Sequence, residues 1–238
     1  MSETYQFELP LVQPSQAQKH ITVNESLARL DAVAQMRIVE TQVIAPPASP
    51  IDGEAYAVGS SATGEWAGHD ASLAIFSNGG WVFLTPKIGW KARNETLGAD
   101  MIFDGVDWRI NAVSVSAGGA ASLQHVIEID HVMGAGASSI TANIIPSHAQ
   151  VIGVTARVIT EITGSGVANW SLGVASDEAR YAIGLGLSLN SYAVGISGTP
   201  QTYYADTPLQ ITADAGSFTG GEIRLAVHVV ELSVPRAI

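Results

Sequence analysis

Apolar and polar positions alternate along most of this chain, and tight-turn residues break the alternation at short intervals. The pattern is most informative where it repeats. Ile75-Phe76-Ser77-Asn78-Gly79-Gly80-Trp81 and Ile102-Phe103-Asp104-Gly105-Val106-Asp107-Trp108 share an apolar pair, a polar Gly-containing turn, and a Trp at the same distance from the Phe. Each copy reads as strand, turn and strand, with Asn-Gly and Asp-Gly expected to supply the positive φ angles of a two-stranded hairpin. Tyr56-Ala57-Val58 precedes the first copy as Trp90-Lys91-Ala92-Arg93 precedes the second. Residues 45–111 are therefore expected to form a duplicated β-hairpin module.

Further on, short β runs follow one another at Gln124–Val132, Ser139–Ile145, Val151–Ile162, Trp170–Ala175, Ser191–Ile196, Leu209–Ala213 and Glu222–Leu232. In the last, Ile223, Leu225, Val227 and Val229 alternate with Glu222, Arg224, Ala226 and His228, the period-2 mark of a half-buried strand. Seven or eight strands without a helix-length periodic segment predict an antiparallel β-sandwich over 124–238, jelly-roll-like. The Ser, Ala and Gly of 112–123 read as a linker. Residues 1–44 read as a docking segment with one short helix, about Val23 to Gln35, striped by Leu27, Leu30 and Val33 or Ala34. Ser15 with Gln18 and Thr22 with Glu25 have capping-box spacing. Arg37–Ile44 reads as one strand, and Ala45-Pro46-Pro47-Ala48-Ser49-Pro50 as a stiff connector. The fold class is mostly β.

Composition narrows the partners. With 22 acidic against 11 basic residues the formal charge is −11, a field that repels phosphate backbones and argues against nucleic acid. The chain has no Cys, so disulfides and Cys-ligated metals are out. No run approaches the ~20 apolar residues of a membrane span, and Met1–Pro10 lacks the basic and apolar regions of a signal peptide. Synthesis and assembly in the bacterial cytoplasm are expected. A low-charge, Gly- and Ala-rich β chain whose short helix cannot bury its stripe alone is expected to self-associate.

Leu9-Pro10-Leu11, Gln13-Pro14-Ser15-Gln16-Ala17-Gln18-Lys19-His20, Asn24-Glu25, Leu27 and Leu30-Asp31 resemble the opening signature of the phage-associated family DUF2793. Ala45–Pro50, Gly53, Tyr56–Gly59, Ala62–His69, Gly89-Trp90 and Gly216–Gly221 extend the resemblance over most of the chain. It implies a protein of prophages or gene transfer agents, like the head-spike or tail-fibre proteins that attach particles to host surface polysaccharide. A homotrimer is what the fibre resemblance implies. The motif is not a catalytic signature, so no active-site residue is carried over.

Four of five tryptophans, Trp66, Trp81, Trp90 and Trp108, lie in the duplicated module, with Glu65, Asp70, Asn78, Asp104 and Asp107 near them in sequence. Indole faces take the apolar side of a pyranose while carboxylates and amides bind its hydroxyls. The same residues could equally be hairpin core. A second place for a sugar lies around Trp170, Tyr181, Tyr192, Tyr203 and Tyr204. Asp104-Gly105-Val106-Asp107 lacks the ligands of a calcium loop and reads as a turn. On one strand His125 and His131 face away from Glu128 and Asp130, so they do not form a metal site. No nucleophile elbow, zinc-protease helix, phosphate loop or dinucleotide fingerprint occurs. A glycosidase pair of carboxylates, roughly 5–10 Å apart, has no sequence signature of its own.

The expectation is thus a non-enzymatic, cofactor-free protein on the surface of a virion or phage-like particle. Its N-terminal segment docks to other virion proteins, and its β modules bind host capsular polysaccharide. The alternatives are a purely structural fibre or adaptor subunit and, behind both, a polysaccharide depolymerase.

Overall fold

The computed structural model describes residues 3–12 and 19–237, with the side chains of Lys19 and His20 outside that description. The expected capping pair Ser15 and Gln18 lies outside the described residues. The chain is mostly β and divides into two compact units, Met1–Ala121 with Ser233–Ile238, and Ser122–Leu232.

The first unit opens with helix α1 (Lys19–Val33), which starts earlier than expected. Thr22 and Glu25 therefore sit inside the helix and not at its cap. The stripe is only partly docked. Val33 packs on the core, whereas Leu30 is 55% exposed. Asp31, on the docked side, is buried and clips the preceding segment to the helix. Its Oδ1 accepts Thr4 Oγ1 at 2.7 Å and Phe7 N at 2.8 Å, and its Oδ2 accepts Gln6 N at 2.7 Å. Asn24 exchanges two hydrogen bonds with the Val12 backbone. Two residues of the resemblance motif, Asn24 and Asp31, thus hold the lead segment in place.

The stretch expected as one strand splits into β1 (Arg37–Ile38) and β2 (Thr41–Val43). Each joins a different sheet. β2 runs parallel to β3 (Ala55–Val58), followed by antiparallel β4 (Leu73–Ser77) and β5 (Gly80–Leu84). β1 runs parallel to β6 (Lys91–Asn94), followed by antiparallel β7 (Ala99–Phe103) and β8 (Trp108–Ile110). The duplication read from sequence is therefore a duplicated sheet: one parallel strand plus a three-stranded meander, twice. Register agrees as well, because Phe76 pairs with Trp81 and Phe103 with Trp108. The turns differ. Asn78 (φ +52) and Gly79 (φ +76) carry the two positive φ angles of a I′ turn. In the second copy Gly105 (φ +103) opens the turn, and Asp104 stands before it. The Asp-Gly pair is thus not the central pair of its turn, a correction to the expectation.

Met36, Ile38, Ala57, Leu73, Ala92 and Met101 form a core between the two sheets. Tyr56, Val58, Trp66 and Ala74 form another on the far face of the β2–β5 sheet. The stretch 112–123 is not a bare linker. It holds β9 (Ala112–Val115), a turn closed by Ser116 N to Ala120 O at 2.8 Å, and the start of β10 (Ala121–Val132).

The second unit continues with β11 (Ser138–Ile145), β12 (Gln150–Ser165), β13 (Trp170–Val174), β14 (Asp177–Leu185), β15 (Tyr192–Thr202), β16 (Thr207–Ala213) and β17 (Ser217–Ser233). One sheet has the order β15-β12-β17-β10, the other β11-β16-β13-β14. Counted from β10, that is 6-3-8-1 facing 2-7-4-5, the double Greek key of a jelly roll. Trp170, Leu172, Leu209, Ile211, Phe218, Ile223 and Leu225 are among the buried residues of its core. β14 had no counterpart among the expected strands. It is an edge strand whose mostly exposed residues do not alternate.

Candidate functional site

The expected binding residues of the first unit separate into buried and surface groups. Trp66 sits on a short 3₁₀ turn (Gly64–Trp66) between β3 and β4, fully buried against the outer face of the sheet. Its ring lies edge-on to Trp81 at 4.9 Å and tilted to Tyr56 at 5.7 Å. A ring enclosed in this way offers no face to a ligand, so Trp66 is core. Its Nε1 has no hydrogen-bond partner among the described residues. Burial, then the hydrogen bond to Glu54, pushes the Tyr56 hydroxyl up to about 12. Asp70 secures the loop that carries Trp66, accepting Ser61 N and Ala62 N, each at 2.9 Å. Those two N–H groups hold its carboxyl below the usual range.

Asp104 is likewise no ligand group. Buried at the second hairpin turn, it accepts Val106 N at 2.9 Å and Asp107 N at 2.8 Å on Oδ1. Its Oδ2 accepts Arg109 Nε at 2.6 Å and, from the returning C-terminal segment, Arg236 Nη1 at 2.7 Å. Burial alone would raise its pKa. The Asp107 N–H and the Arg109 guanidinium outweigh that and hold the carboxyl below its usual value. Asp104 is the fastener between the hairpin and the chain end, a role that its sequence neighbours did not announce.

The remaining candidates reach the surface. Trp81 is half-buried against Phe76 at 5.0 Å, and Trp90 and Trp108 pack half-buried on the core between the sheets. Asp107 is half-buried. Asn78 is exposed and lines a cleft of about 240 Å³ with Glu25, Arg29, Ile75 and Val82. Trp81 touches Trp66, while Trp90 and Trp108 share the other core, so the four tryptophans do not make one continuous platform.

In the jelly roll, Trp170 and Tyr181 are buried, and Tyr192, Tyr203 and Tyr204 are not. Tyr203 and Tyr204 line an open cleft of about 430 Å³ with Ser176, Arg180, Gln201 and Thr207. The hydroxyls of Tyr181 and Tyr203 meet at 2.7 Å, fixing the second ring from below. Tyr204 is 77% exposed, yet its backbone is pinned, since Ser147 Oγ donates to its carbonyl at 3.0 Å and Ser147 N to Asp206 at 2.9 Å. Gln201, Arg180 and Thr207 were not singled out from sequence. Polar residues scattered over β14, β15 and β16 carry no linear signal.

His125, Ile127, Ile129 and His131 are half-buried on one face of β10, while Glu128 and Asp130 point to solvent. His131 Nε2 lies 2.7 Å from the buried Ser139 Oγ, which also accepts Gly134 N at 2.8 Å. Enclosed in this way, the pair is structural. Among the described residues no group of His, Asp and Glu could hold a metal ion, and no helix is long and apolar enough to cross a membrane.

Residues 23–109 match the family model described as "Protein of unknown function (DUF2793)". The match leaves out the motif residues before Val23 and the Gly216–Gly221 segment, so the resemblance is narrower than the residues had suggested. No curated protein matches the chain. Two solved structures show limited likeness. A chain of "Cyanophage Pam1 capsid asymmetric unit" is 17% identical, with 46% of this chain and 86% of that chain covered and a TM-score of 0.37. A chain of "Acidic stable capsid structure of Helicobacter pylori bacteriophage KHP30" is 13% identical, with 50% and 96% covered and a TM-score of 0.32. Likeness at that level carries no argument about this chain.

Proposed function

We propose that this protein, whose residues 23–109 match the DUF2793 family model, is a non-enzymatic surface component of a phage-like particle that binds host polysaccharide through its β domains. The phage setting comes from the family's occurrence in prophages and gene transfer agents. The observation that carries the binding half is the jelly roll with an open, aromatic-edged polar cleft on it. That scaffold is used by both viral capsid and lectin domains, and a cleft pairing exposed Tyr rings with amide, hydroxyl and guanidinium groups has the chemistry of sugar recognition.

The N-terminal segment is the docking element of this reading, and three copies are its expected assembly. Removing residues 1–19 is expected to leave polysaccharide binding intact and to abolish incorporation into particles. Light scattering on the pure protein tests the assembly. The reading as a whole is tested by pull-down with capsule from the producing strain's host. Retention of the protein supports it; no retention, with normal incorporation into particles, favours the purely structural adaptor. Release of reducing ends from the capsule would replace both readings with a depolymerase.

A further inference from the structure

The polysaccharide reading leaves open the kind of sugar, and the jelly-roll cleft restricts it. The unit Ser122–Leu232 contains three cations, Arg157, Arg180 and Arg224. Arg224 is held by Asp130 through two contacts of 2.7 Å and stands 3.7 Å from Glu128. Arg157 lies over the Tyr192 ring at 5.6 Å and reaches the Asn190 carbonyl at 3.4 Å. Arg180 lines the cleft. Its side chain is 22% exposed, and its own contacts are long, Nη2 to the Thr199 carbonyl at 3.3 Å and Nη1 to Asp177 at 3.8 Å. Its buried Nε has no hydrogen-bond partner among the described residues. A guanidinium presents five N–H donors in a fork that matches a carboxylate, and Arg180, which also reaches the Tyr181 hydroxyl, has its carboxylate neighbour Asp177 no nearer than 3.8 Å.

We propose that the cleft takes a carboxylated sugar, a uronic acid residue of an acidic polysaccharide, with its carboxylate on Arg180. The ring's apolar face lies on the exposed Tyr204 ring, and Gln201, Ser176 and Thr207 reach its hydroxyls. Tyr203, tied to Tyr181, forms the rigid floor. Asp177 is the built-in competitor for Arg180. The net charge of −11 opposes an acidic polymer at long range. Raising the salt therefore weakens that repulsion as well as the local pair, and binding through one shielded contact is expected to depend little on ionic strength.

This inference rests on the polysaccharide reading, and its test separates the two. Trigalacturonic acid and its carboxyl-reduced counterpart are titrated by calorimetry into the full chain and into Arg180→Gln, Tyr204→Ala and Asp177→Asn. The trigalacturonate is expected to bind at least about tenfold more tightly than the reduced sugar. Arg180→Gln should remove that preference, Tyr204→Ala should weaken both sugars, and Asp177→Asn, by freeing Arg180, should tighten the acidic one severalfold. Circular dichroism melts show whether each variant is folded, and Asp177→Asn, a gain, needs no such control. Equal binding of both sugars overturns the carboxylate assignment while leaving the polysaccharide reading intact. Acid-selective binding unchanged by Arg180→Gln and Asp177→Asn overturns the site. Failure of trigalacturonate to bind overturns the inference, and the capsule pull-down then decides the broader reading by itself.

Discussion

The two hairpins of the first unit have the same register and face opposite ways. In the first, Leu73 and its partner Leu84 pack on the core between the sheets, which turns Phe76 and Trp81 to the outer face. In the second, Met101 and Ile110 take the core positions, and Phe103 and Trp108, two residues away on the same side, turn inward with them. A strand alternates with a period of two, so a one-residue difference in which position meets the core reverses every side chain. The long β3–β4 connection supplies Trp66 to cover the outward face in the first copy. The β6–β7 connection has no such insert, and the outer face of that sheet carries exposed Lys91 and Arg93, with Arg93 bridging to Asp100. An equivalent position in a sequence repeat is therefore not an equivalent environment.

The largest effect is expected where the outward face depends on one side chain. Trp66→Ala should cost ~3–5 kcal/mol, read from denaturant unfolding; a loss under about 1 kcal/mol would mean that the ring is not what covers the sheet. Next is the fastener of the second hairpin. Asp104→Asn leaves two arginines without their shared carboxylate, and because both guanidinia are about a quarter exposed the expected cost is reduced to roughly 2 kcal/mol. The sign with pH follows from its depressed pKa. The stabilisation is fully present above the ordinary value of 3.8 and is lost as pH falls through the folded-state value, so melts of parent and variant should converge in acid.

A third measurement addresses the comparison itself. Trp66 and Trp81 are in contact, so a double-mutant cycle between them should give a coupling of roughly 0.5–1.5 kcal/mol. Trp66 and Trp108 serve different cores and should be additive within about 0.5 kcal/mol. Coupling of equal size in both cycles would mean that the two faces are not independent. The smallest effect is expected in the jelly roll, where Tyr204→Ala should leave stability within about 0.5 kcal/mol of the parent.

What depends on local alternation is legible in the sequence. The Phe–Trp hairpins, the strands at Glu222–Leu232 and Ser139–Ile145, and the mostly β class all have a two-residue period or a turn at a fixed offset. The parallel pairing of β1 and β2 with different sheets was not legible, because nothing in Arg37–Ile44 marks where a strand changes partner. Nor could sequence assign Asp104 to Arg236, which lies 132 positions away. The clustering of tryptophans in the sequence reflects packing in two cores. The open aromatic pair, Tyr203 and Tyr204, gains its neighbours only when β14, β15 and β16 come together.

On the proposed reading, sugar recognition belongs to the jelly-roll cleft and not to the tryptophan-rich unit. Amide hydrogen exchange of the full chain with and without saturating trigalacturonate distinguishes the two locations. Added protection is expected in residues 174–180 and 199–207, with none in 66–108. Protection centred on Trp81, Trp90 or Trp108, with the cleft unchanged, would contradict it.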